Sequence, residues 1–324
     1  MSVRGHFSSF AQRAGLPLCL VLLCGTSLAI GANPLDVDQL LSFSGTGWLT
    51  LSASRLPRLA ALILTGVGLS CCGLILQQVL RNRFAEPATT GGLDAAKLGV
   101  LAGVVLVPSA GALIRTAFAM TCCFIASLIY VAIIRRIRLR NTILIPVIGL
   151  MYGSVLGALA ESYAYANSIA QSMQGWLLGD FSKVIQGNYE IIYVILPVVL
   201  VTYLYARQFT LLGMGQDMAT SLGLSYPAML TLSLFLVSIT VAVTVITIGA
   251  VPFVGLVVPN LVALWLGDNL RRTLPVVAMG GATLLVACDI LGRLIIYPFE
   301  VPIGLTVGGI GGTMFLALII WKHR

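Results

Sequence analysis

Charged residues inside apolar stretches are the first candidates for chemistry in this chain, because a charge in hydrocarbon is costly and often functional. Glu161 lies late in one apolar run, and Asp289 and Arg293 lie together in another. A spacing of four places Asp289 and Arg293 on one helical face, where they can form an ion pair. For Asp289, ion pairing and the lining of a polar path are equally good interpretations. For Glu161, the lining of such a path is the better interpretation.

Other reactive groups are scarce. The two histidines, His6 and His323, lie near the ends of the sequence, so no apolar run offers a histidine as metal ligand or proton carrier. No G-x-x-x-x-G-K-[ST] phosphate loop occurs, and the glycine cluster GGIGGT at Gly308–Thr313 lacks the lysine. We therefore expect no catalytic residue, no metal site and no cofactor on this chain. Any ATP hydrolysis must come from another subunit.

The composition is that of an integral membrane protein. Hydrophobic residues make up 58% of the 324 residues and charged residues only 9%, with a mean hydropathy of +1.01. Soluble domains carry roughly 25% charged residues. The net charge of +8 then reflects topology in the lipid bilayer, and we expect no nucleic-acid partner.

Ten apolar runs are long enough, or nearly so, to cross a bilayer as helices. They cover residues 15–32, 56–79, 94–111, 113–134, 142–166, 189–206, 227–248, 252–266, 273–296 and 302–321. The eighth is short and contains Pro252 and Pro259, so we expect a broken or re-entrant segment rather than a straight span. No soluble domain is left over. The sequence predicts an all-α integral membrane protein of about ten transmembrane helices, with residues 1–324 forming one transmembrane domain.

The distribution of basic residues predicts the orientation. With a cytoplasmic N-terminus, 14 of the 19 arginines and lysines fall inside and five outside. This bias predicts that both termini are cytoplasmic. The alternative for the first run is a cleaved signal peptide, since Arg4 and Arg13 precede it and small residues close it.

Two segments outside the apolar runs suggest contacts with partners. LLGMGQDMATSLGLS, residues 211–225, predicts one short helix from Met214 to Leu222, capped by Gly223 in a left-handed conformation. Such a helix is either a connector or a docking element. SRLPR, residues 54–58, places Arg55 and Arg58 outside, against the positive-inside bias, and an acidic partner would explain them.

Five segments in order resemble one family. They are RLPR before a glycine-rich helix, RNRFAEP, SLGL, PFVGLVVPN and DILGRLIIYPFEVPIGLTVGGIGG, spread from about residue 35 to 322. Together they resemble the FecCD family of ABC importer permeases, which carry iron siderophores, haem and cobalamin. Three segments are most similar to those of permeases for catecholate ferric siderophores. They are VPN, in place of the commoner Val-Pro-His, WLLGDFS and GDNLRRTLP.

The resemblance implies the fold and the partners. The fold would be the ten-helix permease bundle of an ABC type II importer in the bacterial inner membrane. Its partners would be a second permease subunit, identical or paralogous, two ATPase subunits that bind the ATP, and a periplasmic siderophore-binding protein. Iron would pass only as the ferric siderophore.

The resemblance also assigns roles to residues. The coupling helix, near residues 213–223, would sit in a cleft of the ATPase through Gly215, Asp217, Ala219, Leu222 and Gly223. The binding protein would dock on Arg55, Arg58 and Arg293. The cytoplasmic gate would comprise Asn82, Phe84, Asn141 and Thr142, and the path would include Glu161 and Asp289. Arg83 and Phe84 depart from the family pattern, which has proline and leucine there. The resemblance therefore does not determine the shape of the constriction.

Other classes of protein fit less well. A haem or cobalamin permease of the same family is the nearest alternative. An ATP-independent secondary transporter would explain the helices and the broken segment but not a coupling helix. A membrane enzyme would need clustered acids or histidines at a membrane face, and a channel would need a filter motif.

Overall fold

The computed structural model describes residues 7–31, 45–109, 111–137, 144–267 and 269–322. Two of the predicted gate residues, Asn141 and Thr142, lie outside these ranges. Within them the secondary structure is helical, apart from one isolated bridge between Leu178 and Ala250.

Fourteen α-helices occur in the described ranges, and we number them in chain order. They are α1 Phe7–Ala29, α2 Gly45–Thr50, α3 Leu56–Val79, α4 Gly92–Leu106, α5 Ala112–Ile137, α6 Leu144–Ala166, α7 Ala170–Leu177, α8 Ile195–Leu204, α9 Ala206–Gly213, α10 Gln216–Ser221, α11 Tyr226–Thr247, α12 Val254–Leu266, α13 Leu270–Ile295 and α14 Ile303–Lys322. A π-helical turn, Leu51–Arg55, joins α2 to α3, and a 3-10 turn, Glu190–Val194, leads into α8.

Each of the ten predicted apolar runs contains a helix. Among the described residues, five helices are long and apolar enough to cross a membrane, and a sixth span results if Glu190–Leu204 and α9, which bend by 65° at their junction, count as one. The shorter apolar helices include α12, whose 13 residues measure about 20 Å along the axis. A straight α12 is therefore too short to cross a hydrocarbon core of about 30 Å.

Helix α3 is the centre of the bundle. Of its most apolar stretch, 78% is buried inside the chain, compared with 28% for α5 and 22% for α6. It packs chiefly against α13, α12 and α11. The outer helices therefore present apolar surface to lipid or to another subunit.

Glycines allow the central helices to touch backbone to backbone. A Cβ on Gly73 would lie 1.8 Å from the carbonyl oxygen of Gly255, where α3 meets α12, and a Cβ on Gly66 would lie 2.4 Å from that of Gly281 on α13. No side chain fits at such distances, so these crossings depend on the missing Cβ atoms. Small residues at helix contacts are the usual device for close packing in membranes.

Candidate functional sites

A cluster of arginines lies at the end of the bundle where α3 begins. Arg58 donates from Nη2 and Nε to Asp289 Oδ1, at 2.7 and 3.2 Å, and from Nη1 to both carboxylate oxygens of Glu300, at 3.0 and 2.8 Å. Arg293 donates to Asp289 Oδ2. One buried carboxylate thus bridges two arginines, and the predicted pairing of Asp289 with Arg293 is present. We call Arg55, Arg58, Asp289, Arg293 and Glu300 the arginine cluster.

Two members of the arginine cluster hold the end of α1. Arg293 Nη1 donates to the carbonyl oxygens of Ser27 and Ile30, at 3.0 and 2.9 Å, and Arg55 Nη1 donates to those of Leu28 and Ala29, at 2.6 and 3.2 Å. The last carbonyls of a helix have no intrahelical partner and carry partial negative charge. The guanidinium groups satisfy these carbonyls and attach α1 to α3 and α13.

These contacts change what can be expected of the docking residues. Arg55 and Arg293 are only 8% and 6% exposed, and their guanidinium groups face the chain itself. A docking role for these two stays a prediction that requires the contacts with α1 to open. Asp289, 3% exposed, occupies the interior of the arginine cluster, which favours the pairing interpretation over the path.

A polar loop, residues 80–91, lies at the opposite end of α3, about 36 Å away along the helix axis. Its Glu86 is 2% exposed and accepts the backbone N–H groups of Phe253, at 3.3 Å, and Leu256. Phe253 is the N-cap residue of α12, and Leu256 lies in its first turn, where its N–H also donates to Phe253 O at 3.1 Å. The carboxylate therefore caps a helix that starts inside the bundle, which explains a strongly polar segment between two apolar helices.

Burial dominates the electrostatics of Glu86. Desolvation raises the pKa of its carboxyl group from 4.5 to about 7, and the hydrogen bonds from Phe253 and Leu256 oppose part of that rise.

Side-chain hydrogen bonds stabilise the polar loop itself. Thr89 Oγ1 accepts from Glu86 N at 3.0 Å and donates to Phe84 O, and Asn260 Nδ2 of α12 donates to Arg83 O at 2.7 Å.

The two described gate residues have different surroundings. Asn82 is 5% exposed, and its Oδ1 accepts from the backbone of Phe84 at 2.8 Å, so it shapes the polar loop. Phe84 is 37% exposed and meets Phe315 of α14 edge to face, with ring centroids 5.7 Å apart. The aromatic ring that replaces the family's leucine thus bridges the loop and the last helix.

The predicted short helix is present with a shifted start. α10 runs from Gln216 to Ser221 rather than from Met214, because Gly215 has φ +101° and interrupts the helix. At its other end Gly223 has φ +82°, and the Gly223 and Leu224 N–H groups donate to Thr220 O and Ala219 O, both at 2.9 Å. These two bonds form a Schellman cap, and the left-handed conformation of Gly223 is the one that the sequence predicts.

Two arginines lie at the start of α10. Arg135, at the end of α5, donates to Gln216 Oε1 and lies over the Tyr226 ring, 5.3 Å from its centroid. Arg81 lies against Gly215, where a Cβ would come within 2.7 Å of its Nη1. Ala219 is buried, whereas Met218 and Leu222 are 54% and 57% exposed. α10 is thus fixed to the bundle while an apolar face remains uncovered.

The remaining predicted site residue, Glu161, is exposed on α6, and Tyr165, one turn further along the same face, is 73% exposed. It therefore faces outward from this chain and not into its core. Among the described residues, no three His, Cys, Asp or Glu side chains are grouped as metal ligands.

These features are those of a multi-pass helical membrane protein, and comparison with known proteins identifies the family. Residues 19–321 match the FecCD transport family, so the chain belongs to that family. It is an inner-membrane permease subunit of an ABC transporter and works with separate ATPase and binding-protein subunits. It is not itself an enzyme.

Similar proteins cover nearly the full length of the chain. The ferric-anguibactin transport system permease protein FatD of Vibrio anguillarum is 60% identical over 94% of this chain and 96% of its own length. The petrobactin import system permease protein YclN of Bacillus subtilis is 41% identical with the same coverage. A solved structure described as an inward-facing ABC transporter of the metal-chelate type has a TM-score of 0.76 at 24% identity, covering 94% of this chain and 97% of its own. That structure supports the fold alone.

Proposed function

We propose that this chain is the permease of an ATP-driven importer that carries a ferric siderophore across the bacterial inner membrane. The observation that carries the proposal is its 60% identity, over nearly the whole length, to a permease named for ferric anguibactin. Two further relatives, 41% and 37% identical, are named for petrobactin import.

Helix α10 would be the coupling helix. The support is geometric: its start is held by Arg135, its end is capped at Gly223, and Met218 and Leu222 leave an uncovered apolar face. A rigidly attached helix with an exposed face can transmit the movement of an ATPase to the bundle. Asp217, also exposed, adds charge to that face.

The transport path would run between this chain and a second permease, identical or paralogous. In support, α6 is 22% buried over its most apolar stretch, and its exposed face carries Glu161. Asn82 and Phe84, with Asn141 and Thr142, would narrow the cytoplasmic end. Residues 1–324 would form this single domain, with both termini cytoplasmic, two ATPase subunits at the α10 end and the binding protein at the arginine cluster.

We propose a catecholate type of chelate, on the sequence similarities around residues 176–182, 258–260 and 267–275. Haem or cobalamin is the second candidate, since a hemin permease of Yersinia pestis is 31% identical and a vitamin B12 permease of Klebsiella pneumoniae is 30% identical. The lower identity makes both less favoured. An ATP-independent transporter is not favoured, because the chain belongs to an ABC permease family.

Reconstitution tests the proposal. The permease, its ATPase and its binding protein are placed in liposomes, and uptake of radioactive iron is followed as a catecholate chelate, as a hydroxamate chelate and as haem. We expect ATP-dependent uptake of the catecholate chelate. Uptake without ATP would contradict the importer class, and preference for haem would contradict the substrate.

A further inference from the structure

Arg58 has two carboxylate partners with unequal surroundings. Asp289 has a side chain only 2% exposed and also binds Arg293, whereas the side chain of Glu300 is 36% exposed. Within the described residues, Glu300 hydrogen-bonds Arg58 alone. Removing Asp289 would leave two buried arginines without their anion, which is costly. Glu300 is therefore the exchangeable partner, because its carboxylate can return to water.

The charge balance at Arg58 allows one carboxylate to replace another. Arg58 and Arg293 supply two positive charges, and Asp289 and the partly exposed Glu300 supply two negative charges, so an anion that replaces Glu300 keeps the balance. Glu300 lies in the segment between α13 and α14, flanked by Phe299, which is 74% exposed, and near Tyr297, which is 63% exposed. Exposed aromatic rings around a charged centre are typical of protein interfaces. A partner surface that carries a carboxylate thus meets Glu300 first.

We propose that Glu300 is a built-in competitor for docking: it occupies Arg58 in the free permease and is displaced when a carboxylate of the binding protein binds Arg58. This inference rests on the proposed function, in which the binding protein docks at this end. It assigns Glu300 a role in tuning the affinity and release of the binding protein, so that docking at Arg58 is reversible.

The test measures how tightly the purified binding protein of the same system binds to the assembled permease and ATPase in lipid nanodiscs. Glu300→Gln keeps the side-chain size and removes the competing charge. We expect Kd to fall about two- to fivefold, the range that exposed ion pairs contribute, and the gain to shrink at high salt because exposed charges are screened. An unchanged or higher Kd overturns the proposal.

Glu190→Gln is the matched control. Glu190 accepts from Gly187 N at 2.6 Å and has no hydrogen bond to the arginine cluster. The nearby contact of Gln186 N with Ala53 O, at 2.9 Å, places this segment at the same end of the bundle. Its replacement should leave Kd unchanged. An equal gain in both variants would indicate general repulsion and would overturn the proposal.

A double-mutant cycle separates competition from failure of the docking site. Glu300→Gln should improve binding in the wild-type background and have no effect in an Arg58→Gln background. A gain that persists there overturns competition for Arg58. If neither Arg58→Gln nor Glu300→Gln alters Kd, the binding protein does not dock here and that part of the proposed function fails. Should Arg58→Gln not assemble, Arg58→Met, which also removes the positive charge, takes its place in the cycle with the same criterion.

Discussion

Arg58 and Asp289 are 231 residues apart in the chain and form an ion pair with 2.7 Å between Nη2 and Oδ1. The pair joins the start of α3 to the end of α13, and Arg293 completes it from the other side of the carboxylate. The same cluster binds the end of α1. A single buried acid therefore organises three helices at one end of the bundle.

Asp289→Asn should destabilise the protein strongly. Breaking a buried ion pair by removing one partner costs about 3–5 kcal/mol, because buried Arg293 would lose its carboxylate and Arg58 would keep only the partly exposed Glu300. Thermal unfolding of the purified protein measures the change. Asp94→Asn is the control, since Asp94 pairs with Lys97 at 3.0 Å with both side chains 27% exposed, and such pairs contribute about 0–1 kcal/mol. Equal losses in both variants would contradict the assigned role of Asp289.

Gly73→Ala should disturb the crossing of α3 and α12. The added Cβ would lie 1.8 Å from Gly255 O, so the helices must separate, at a cost of about 1–3 kcal/mol or more for overpacking. Gly308→Ala on α14 is the control, because no atom lies within 4 Å of the Cβ position. Thermal unfolding should show a clear loss for the first variant and no loss for the second. A tolerated Gly73→Ala would refute the backbone contact.

Glu86 should make stability depend on pH. Its folded pKa of about 7 exceeds the ordinary value of 4.5, so the folded state holds a proton that the unfolded state releases. Stability from this group is complete below about pH 4.5 and is lost as the pH rises to about 7. The shift corresponds to about 3 kcal/mol.

Glu86→Gln should remove that loss, because the amide oxygen still accepts N–H groups at the start of α12 and no charge needs burial. The unfolding temperatures of both proteins are measured between pH 5 and pH 8. The unfolding temperature of the wild type should fall relative to that of the variant as the pH rises. Parallel curves would show that Glu86 does not titrate in this window. Glu86→Ala should be less stable than Glu86→Gln throughout, since the cap is lost.

Asp217→Arg should uncouple transport without unfolding the permease. Asp217 is exposed on α10, where surface substitutions usually change stability by less than about 0.5 kcal/mol. We expect normal insertion and normal thermal unfolding, with loss of siderophore uptake and of binding-protein-stimulated ATPase activity in the reconstituted complex. Asp217→Asn, which removes charge but keeps the size, indicates whether charge or fit matters. Normal uptake by Asp217→Arg would remove the coupling assignment.

Local sequence determined the helices and the class of the protein. Apolar runs of bilayer length have one stable solution, since an isolated backbone in hydrocarbon must bond to itself, and each run contains a helix. The cap at Gly223 was equally readable, because glycine takes a positive φ without strain. A spacing of four allowed the pairing of Asp289 with Arg293 but left the lining of a polar path an equally good interpretation. The family resemblance came from five short segments in order and is confirmed over residues 19–321.

Only the tertiary structure decided which partners the charged residues find. Arg58 meets Asp289 and Glu300, and Glu86 meets α12, across 231, 242 and 167 residues of chain. Nothing in the local sequence specifies such partners, because they depend on how the helices pack around α3. Packing also turned Arg55 inward to the end of α1, although its position against the charge bias suggested an outward surface. Arg293, which the family resemblance assigns to docking, binds the same helix end. Sequence fixes which groups cannot stay alone in the membrane, whereas three-dimensional packing decides which groups satisfy them.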